Sequence, residues 1–176
     1  RIAKQIRQLF KQNKDLLSDI IEIDETYIGG KHRGKRGRGS ENKTAVMGLA
    51  QRKGNLKAKV VSNTNSHTVK SIIRDNIELG GNIVTDEYRS YNVVGKMGFN
   101  HQTVCHFKEQ WANSSIHVNT IEGFWSQLKR SINGTYHCVS PKYLQNYVDE
   151  FVYRYNHRHV LDSLFSLILS EVVKPF

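Results

Sequence analysis

Three acidic residues of this chain sit in three different kinds of local sequence. Asp24 lies in the β-like run IIEIDETYIGG, Asp86 ends the β-like run NIVTDEYRSY, and Glu122 stands near the start of the helix-like run NTIEGFWSQLKR. Thirty-five residues separate Asp86 from Glu122. Carboxylates delivered by one strand, a later strand and a following helix can converge on a pair of Mg²⁺ ions. Hard divalent cations take oxygen ligands, and Mg²⁺ is usually held by a few carboxylates plus substrate phosphates. Two such ions about 3.5–4 Å apart clamp the attacking and leaving oxygens of a phosphodiester. In a strongly basic chain that chemistry is polynucleotidyl transfer.

Each acid also has a plainer reading. Acidic residues are depleted in strands, so Asp24 inside a β-branched run needs a reason. The plain one is an edge strand on which Glu22, Asp24 and Thr26 share a solvated face. Asp86 suits the carboxyl end of a strand, where ligands of α/β sheets gather, but it could equally cap the next helix. Its neighbour Glu87 should point elsewhere. Glu122 lies opposite the apolar stripe of its helix and could be merely solvated. Its company favours more: Asn119 precedes it by three residues, Ser126 follows by four and Lys129 by seven, all on nearly one face.

The elements that must position these residues read as follows. Residues 1–17 look like a basic helix with Ile2, Ile6, Leu9 and Phe10 on one side. Residues 19–30 form a strand ending at Gly29-Gly30. TAVMGLAQ and LKAKVVSN form a strand pair around the turn Arg52-Lys53-Gly54-Asn55. Asn65 or Ser66 caps a helix carrying Val69, Ile72, Ile73 and Ile77, which Gly80-Gly81 should end. NIVTD is a short buried strand, EYRSYNVVGKMG a short helix and turn, and HQTVCHF a further strand. Residues 119–132 form a helix with Ile121, Phe124, Trp125, Leu128 and Ile132 toward the core. Ser140-Pro141 starts another, burying Leu144, Val148, Phe151, Val152 and Tyr155, and LFSLILSEVV is a last short helix. Three antiparallel strands followed by alternating helices and strands is the plan of an α/β, ribonuclease-H-like fold, with a mixed five-stranded sheet flanked by helices. The expected division is a linker helix at 1–18, a catalytic core at 19–159 and a C-terminal helix at 160–176.

Composition narrows the partners. The 176 residues carry 26 Lys+Arg against 16 Asp+Glu, a formal charge of +10, and the pI is near 9.7. That excess suits a polyanion, since each neutralised phosphate releases a counterion. Hydrophobic residues make up 38%, and no apolar run approaches the ~20 residues of a membrane span, so no membrane partner is expected. Cys105 and Cys138 sit in no paired motif, which points to reduced thiols rather than a disulfide framework or zinc site. The loop KHRGKRGRGSENK places Lys31, Arg33, Lys35, Arg36 and Arg38 among glycines, where they could grip phosphates. Lys129 and Arg130 could hold a strand beside the acids. His117 is a candidate for a DNA or active-site role, His106 reads as ordinary, and Trp111 could stack on a frayed base.

The phrases IDETYIGGK, VTDEYRSY and HVNTIEGFWSQLKRSINGTYHCVSPKYLQNYVDEFVYRYNHR resemble the catalytic core of DDE-type insertion-sequence transposases, in the bacterial group related to the eukaryotic Merlin elements. The similarity runs over roughly residues 20–158. It implies a ribonuclease-H-like fold and Mg²⁺-dependent cut-and-paste chemistry with two ions, Mn²⁺ substituting. Asp24 and Asp86 match the first and second catalytic acids. For the third, the family uses either an Asn with a downstream Lys or a Glu. Asn119, Glu122 and Lys129 are all present, and Glu122 is the better Mg²⁺ ligand because a carboxylate outbinds an amide. The resemblance also implies an N-terminal zinc ribbon and helix-turn-helix that read element ends, so a chain starting at Arg1 reads as an excised core. Double-stranded DNA and a homodimer or larger synapse are the expected partners. The expected compartment is the bacterial cytoplasm at the nucleoid, or the nucleus of a eukaryote. The rival readings are a ribonuclease-H-like nuclease without strand transfer and a non-catalytic DNA-binding protein descended from a transposase.

Overall fold

The computed structural model describes residues 2–29, 43–104, 117–160 and 166–169. Helix α1 (Ile2–Arg7) leads into strands β1 (Ile20–Ile28), β2 (Thr44–Gln51) and β3 (Leu56–Val61). Helix α2 (Ser66–Asn76), strand β4 (Asn82–Thr85), a 3₁₀ helix (Arg89–Met97) and strand β5 (Asn100–Thr103) follow. Helix α3 (Asn119–Ser131) runs through a π turn (Ile132–Tyr136) toward α4 (Pro141–Asn156). The sheet order is β3-β2-β1-β4-β5. β1 pairs antiparallel with β2 and β2 with β3, whereas β1/β4 and β4/β5 are parallel. Residues 166–169 form one helical turn.

β1 is therefore the central strand, and the edge-strand reading of Asp24 falls. Glu22 is fully buried and Thr26 nearly so. Alternation divides the strand between two cores. Ile21 and Ile23 join Met47, Leu49, Ile73, Ile83 and Tyr91 under α2 and the 3₁₀ helix. Val46, Ala50, Val84 and Ile28 join Ile121, Phe124, Trp125, Leu128 and Val148 under α3 and α4. Both faces are covered, as parallel strands require.

Local signals mostly held. Asn65 rather than Ser66 caps α2, accepting the Thr68 amide at 2.9 Å. Ser140 stands at the N-cap of α4 with Pro141 inside it, but its side chain makes no capping bond. Leu144, Val148 and Val152 are buried there, and Phe151 and Tyr155 pack against the same cluster half-buried. Two boundaries differ. The N-terminal helix spans only Ile2–Arg7. Asn13 accepts the Asp15 amide through its side chain at 2.9 Å, a local bond that competes with helix, and Leu17 bridges to Ile77 as extended chain. Of the expected apolar side, Phe10 is buried while Ile2 and Leu9 are exposed. Helix α2 ends at Asn76, short of the glycine pair, because Ile77 joins that bridge. Gly80, at φ +84°, instead turns the chain into β4. The residues of HQTVCHF beyond Val104, the Gly/Arg loop, Trp111 and most of the last expected helix lie outside the described residues.

Candidate active site

Asp24 sits halfway along β1, directly opposite Gly48 of β2. A Cβ at Gly48 would lie 2.6 Å from Trp125 Cζ2 and 2.7 Å from Ile121 Cδ1. The missing side chain is what lets α3 approach the sheet here. The indole that fills the space donates its Nε1–H to Asp24 Oδ2 at 3.1 Å. Trp125 is thus core, as its place in the stripe suggests, and also the residue that aims Asp24.

Asp86 follows β4 immediately. Its Oδ1 accepts the Tyr88 amide at 2.9 Å, so it turns the chain toward the 3₁₀ helix, whose N-cap is Tyr88 itself. The Thr85 hydroxyl donates to the Asp86 carbonyl at 2.8 Å and lies 2.9 Å from His101 Nε2. Burial lowers the pKa of that imidazole, which keeps it neutral at pH 7. Glu87 is exposed.

Glu122 is exposed in the first turn of α3. Asn119, Ser126 and Lys129 share its side of the helix by spacing, and all are exposed. Arg130 is exposed in the last turn. The His117 ring faces inward, with Nδ1 3.3 Å from Glu22 Oε1. Lys31, Arg33, Lys35, Arg36 and Arg38 are outside the described residues, as are Cys105 and His106.

Asp24 feels the charges of both other acids. Asp24 is pushed up to about 7 from an ordinary 3.8. Burial contributes most and the charge of Glu25 next. A hydrogen bond with the Glu25 backbone opposes the rise, and the charges of Asp86 and Glu122 add to it. Among the described residues, no three His, Cys, Asp or Glu side chains stand close enough to hold a metal ion as they are placed. The donor chemistry nevertheless fits a divalent cation. Carboxylate oxygens are the donors a hard dication takes, and a dication would offset the cost of ionising the buried Asp24.

Two further acids of β1 were missed as site residues. Glu22, on the α3 face, accepts the Thr120 amide at 2.8 Å, the Thr120 hydroxyl at 2.9 Å and the Ile121 amide at 3.2 Å. Arg52 Nε pairs with it at 2.9 Å, and the same guanidinium donates to the His117 carbonyl at 2.7 Å. Glu25, on the opposite face, accepts the buried Tyr91 hydroxyl at 2.6 Å. Burial, then the charge of Glu25, raises that phenol's pKa well above its usual range, so it stays a donor. The available signal was three acids within four residues of a single strand.

A mixed sheet in this order, with helices on both faces and acids at β1, the end of β4 and the helix after β5, is the ribonuclease-H-like fold. Residues 16–156 match the ISXO2-like transposase domain, and the chain belongs to that transposase family. A transposase-like protein of Haemophilus influenzae, itself uncharacterised, is 28% identical over 115 residues, 65% of this chain and 90% of that one. The catalytic core of BIV integrase is similar over 88% of this chain and 96% of its own, at 14% identity and a TM-score of 0.49. A Mos1 transposase paired-end complex with the left transposon end is similar over 88% of this chain and 56% of its own, at 11% identity and a TM-score of 0.37. The fold assignment rests on strand order rather than on these distant likenesses. Among the described residues no helix is long and apolar enough to cross a membrane.

Proposed function

We propose that this chain is the catalytic core of a DNA transposase that cuts DNA at element ends and joins the freed 3′ ends to target DNA. The observation that carries the reading is Asp24, an acid on the central strand of the matched transposase domain whose carboxylate is held by the Trp125 indole of α3. Asp24, Asp86 and Glu122 would hold Mg²⁺, or Mn²⁺ in its place, as a pair of ions. Bound there, the ions supply activation of the attacking oxygen and charge stabilisation of the leaving one. The protein's own part is positioning, with no covalent intermediate. Lys129 and Arg130, on the exposed side of α3, would grip phosphates next to the scissile one, with the Gly/Arg loop assisting. Two element ends must be joined, so the working form is a homodimer or larger synapse.

The test uses full-length protein, labelled element ends and a target duplex. Unaltered protein should yield nicked ends and joined products in Mg²⁺. Asp24→Asn and Asp86→Asn should lose both, by at least 10³-fold, while remaining folded by circular dichroism. Joined products from either variant would overturn the assignment. Cutting without joining by the parent protein would identify a nuclease, and binding without either a DNA-binding descendant.

A further inference from the structure

Helix α3 carries Asn119 and Glu122 in its first turn, yet its local cap is weak, the His117 ring taking the Asn119 amide at a long 3.4 Å. Its N-cap is Val118, which makes no side-chain capping bond. The first amides of a helix need acceptors, and here a strand supplies them from 98 residues away in sequence: the Glu22 carboxylate takes the amides of Thr120 and Ile121. That carboxylate is wholly buried and braced by Arg52, whose guanidinium also fixes the His117 carbonyl just upstream. Glu22 stands two residues before Asp24 on the same face of β1. One rigid strand thus presents Asp24 and, through Glu22, sets where the Glu122 end of α3 begins.

We infer that Glu22 is a positioning residue for the active site. Its carboxylate cap on α3 fixes Glu122 and Asn119 relative to Asp24, and Arg52 holds the cap in place. This rests on the proposed transposase reading for its catalytic consequence, but not for its structural one.

The experiment compares the parent with Glu22→Gln, with the milder Thr120→Val, and with Val148→Ala, a core change in α4 that serves as a stability control. Amide hydrogen exchange is read residue by residue, without metal or DNA. Cleavage of labelled element-end DNA by the full-length protein is read per folded molecule. Glu22→Gln should speed exchange at Thr120 and Ile121 at least tenfold while Ile21 and Ile23 stay protected. It should lower kcat at least thirtyfold, with KM for DNA within threefold. Thr120→Val should move both in the same direction by a smaller factor, and it decides the question if Glu22→Gln does not fold. Val148→Ala should lower the Tm without changing kcat or the exchange of 120–121. Parent-like exchange at 120–121 in the Glu22 or Thr120 variant would overturn the inference. So would a loss of kcat in the stability control as large as that in Glu22→Gln. If the parent cuts no DNA, the transposase reading fails, and the exchange data still decide what Glu22 does.

Discussion

Asp24 is the residue at which burial and charge meet, and its ionisation should be visible in stability. Its folded-state pKa, about 7, lies above the ordinary 3.8. The unfolded chain therefore ionises more readily than the folded one. The associated stability is complete below about pH 4 and is lost as pH rises through 7. Asp24→Asn removes this dependence while keeping an oxygen for the Trp125 donor. In urea titrations with chelator present, the variant should exceed the parent by about 2–4 kcal/mol at pH 8 and match it near pH 4. A pH-independent gap would refute the electrostatic account, and added Mg²⁺ should narrow the gap at pH 8. The identity of the third ligand is a second question at this scale. Glu122→Gln should reduce cleavage at least a hundredfold, and Asn119→Ala less than tenfold. The reverse order in single-turnover assays would make Asn119 the ligand.

Between elements, the contact that matters most is α3 on β1 and β2. Gly48 permits it, since any Cβ there would overlap the Trp125 ring and Ile121. Gly48→Ala should force the helix outward and cost about 1–3 kcal/mol, the usual range for overpacking. Because Trp125 also holds Asp24, activity per folded molecule should fall too. An alanine variant with parent-like urea midpoint and cleavage rate would show that the helix has slack. The sheet's β3 edge shows a different kind of fit. Leu56, Ala58 and Val60 turn backbone groups outward, and side-chain amides meet them: Asn156 at Leu56, Gln12 at Ala58 and Gln145 at Val60. Such capping blocks strand addition at an open edge. Gln145→Leu should strand the Val60 amide and cost about 1–2 kcal/mol in denaturant titrations.

For the molecule as a whole, the excess of ten positive charges sets how it meets a polyanion. Binding of duplex DNA should weaken linearly on a plot of log affinity against log salt. Removing Lys129 or Arg130 should weaken binding equally across sequences and reduce the slope by about one per residue. Unchanged slopes in both variants would take α3 out of the phosphate interface.

What the sequence determined was periodicity and punctuation. Alternation in β1, β2 and β3 and the stripes of α2, α3 and α4 are local properties, so their order, and with it the ribonuclease-H-like plan, could be read directly. The types and spacing of Asp24, Asp86 and Glu122 could be read too, along with the family resemblance in the phrases around them. Partnership came only with the folded chain. Whether β1 is an edge or the centre of the sheet depends on β4 pairing with it, and α3 packed on its face turns Glu22 from a solvated residue into a buried one. A carboxylate that caps a helix 98 positions onward leaves no local pattern, because neither Val118 nor Glu22 looks like a cap in its own neighbourhood. Gly48 reads as a weak point in a strand until Trp125 lies on it. The N-terminal helix stops at Arg7 because Gln12 and Leu17 find better partners in β3 and beside Ile77 than another helical turn would give them. Local sequence sets what each segment can form, whereas burial and long-range hydrogen bonds, which depend on the whole fold, set what each side chain does.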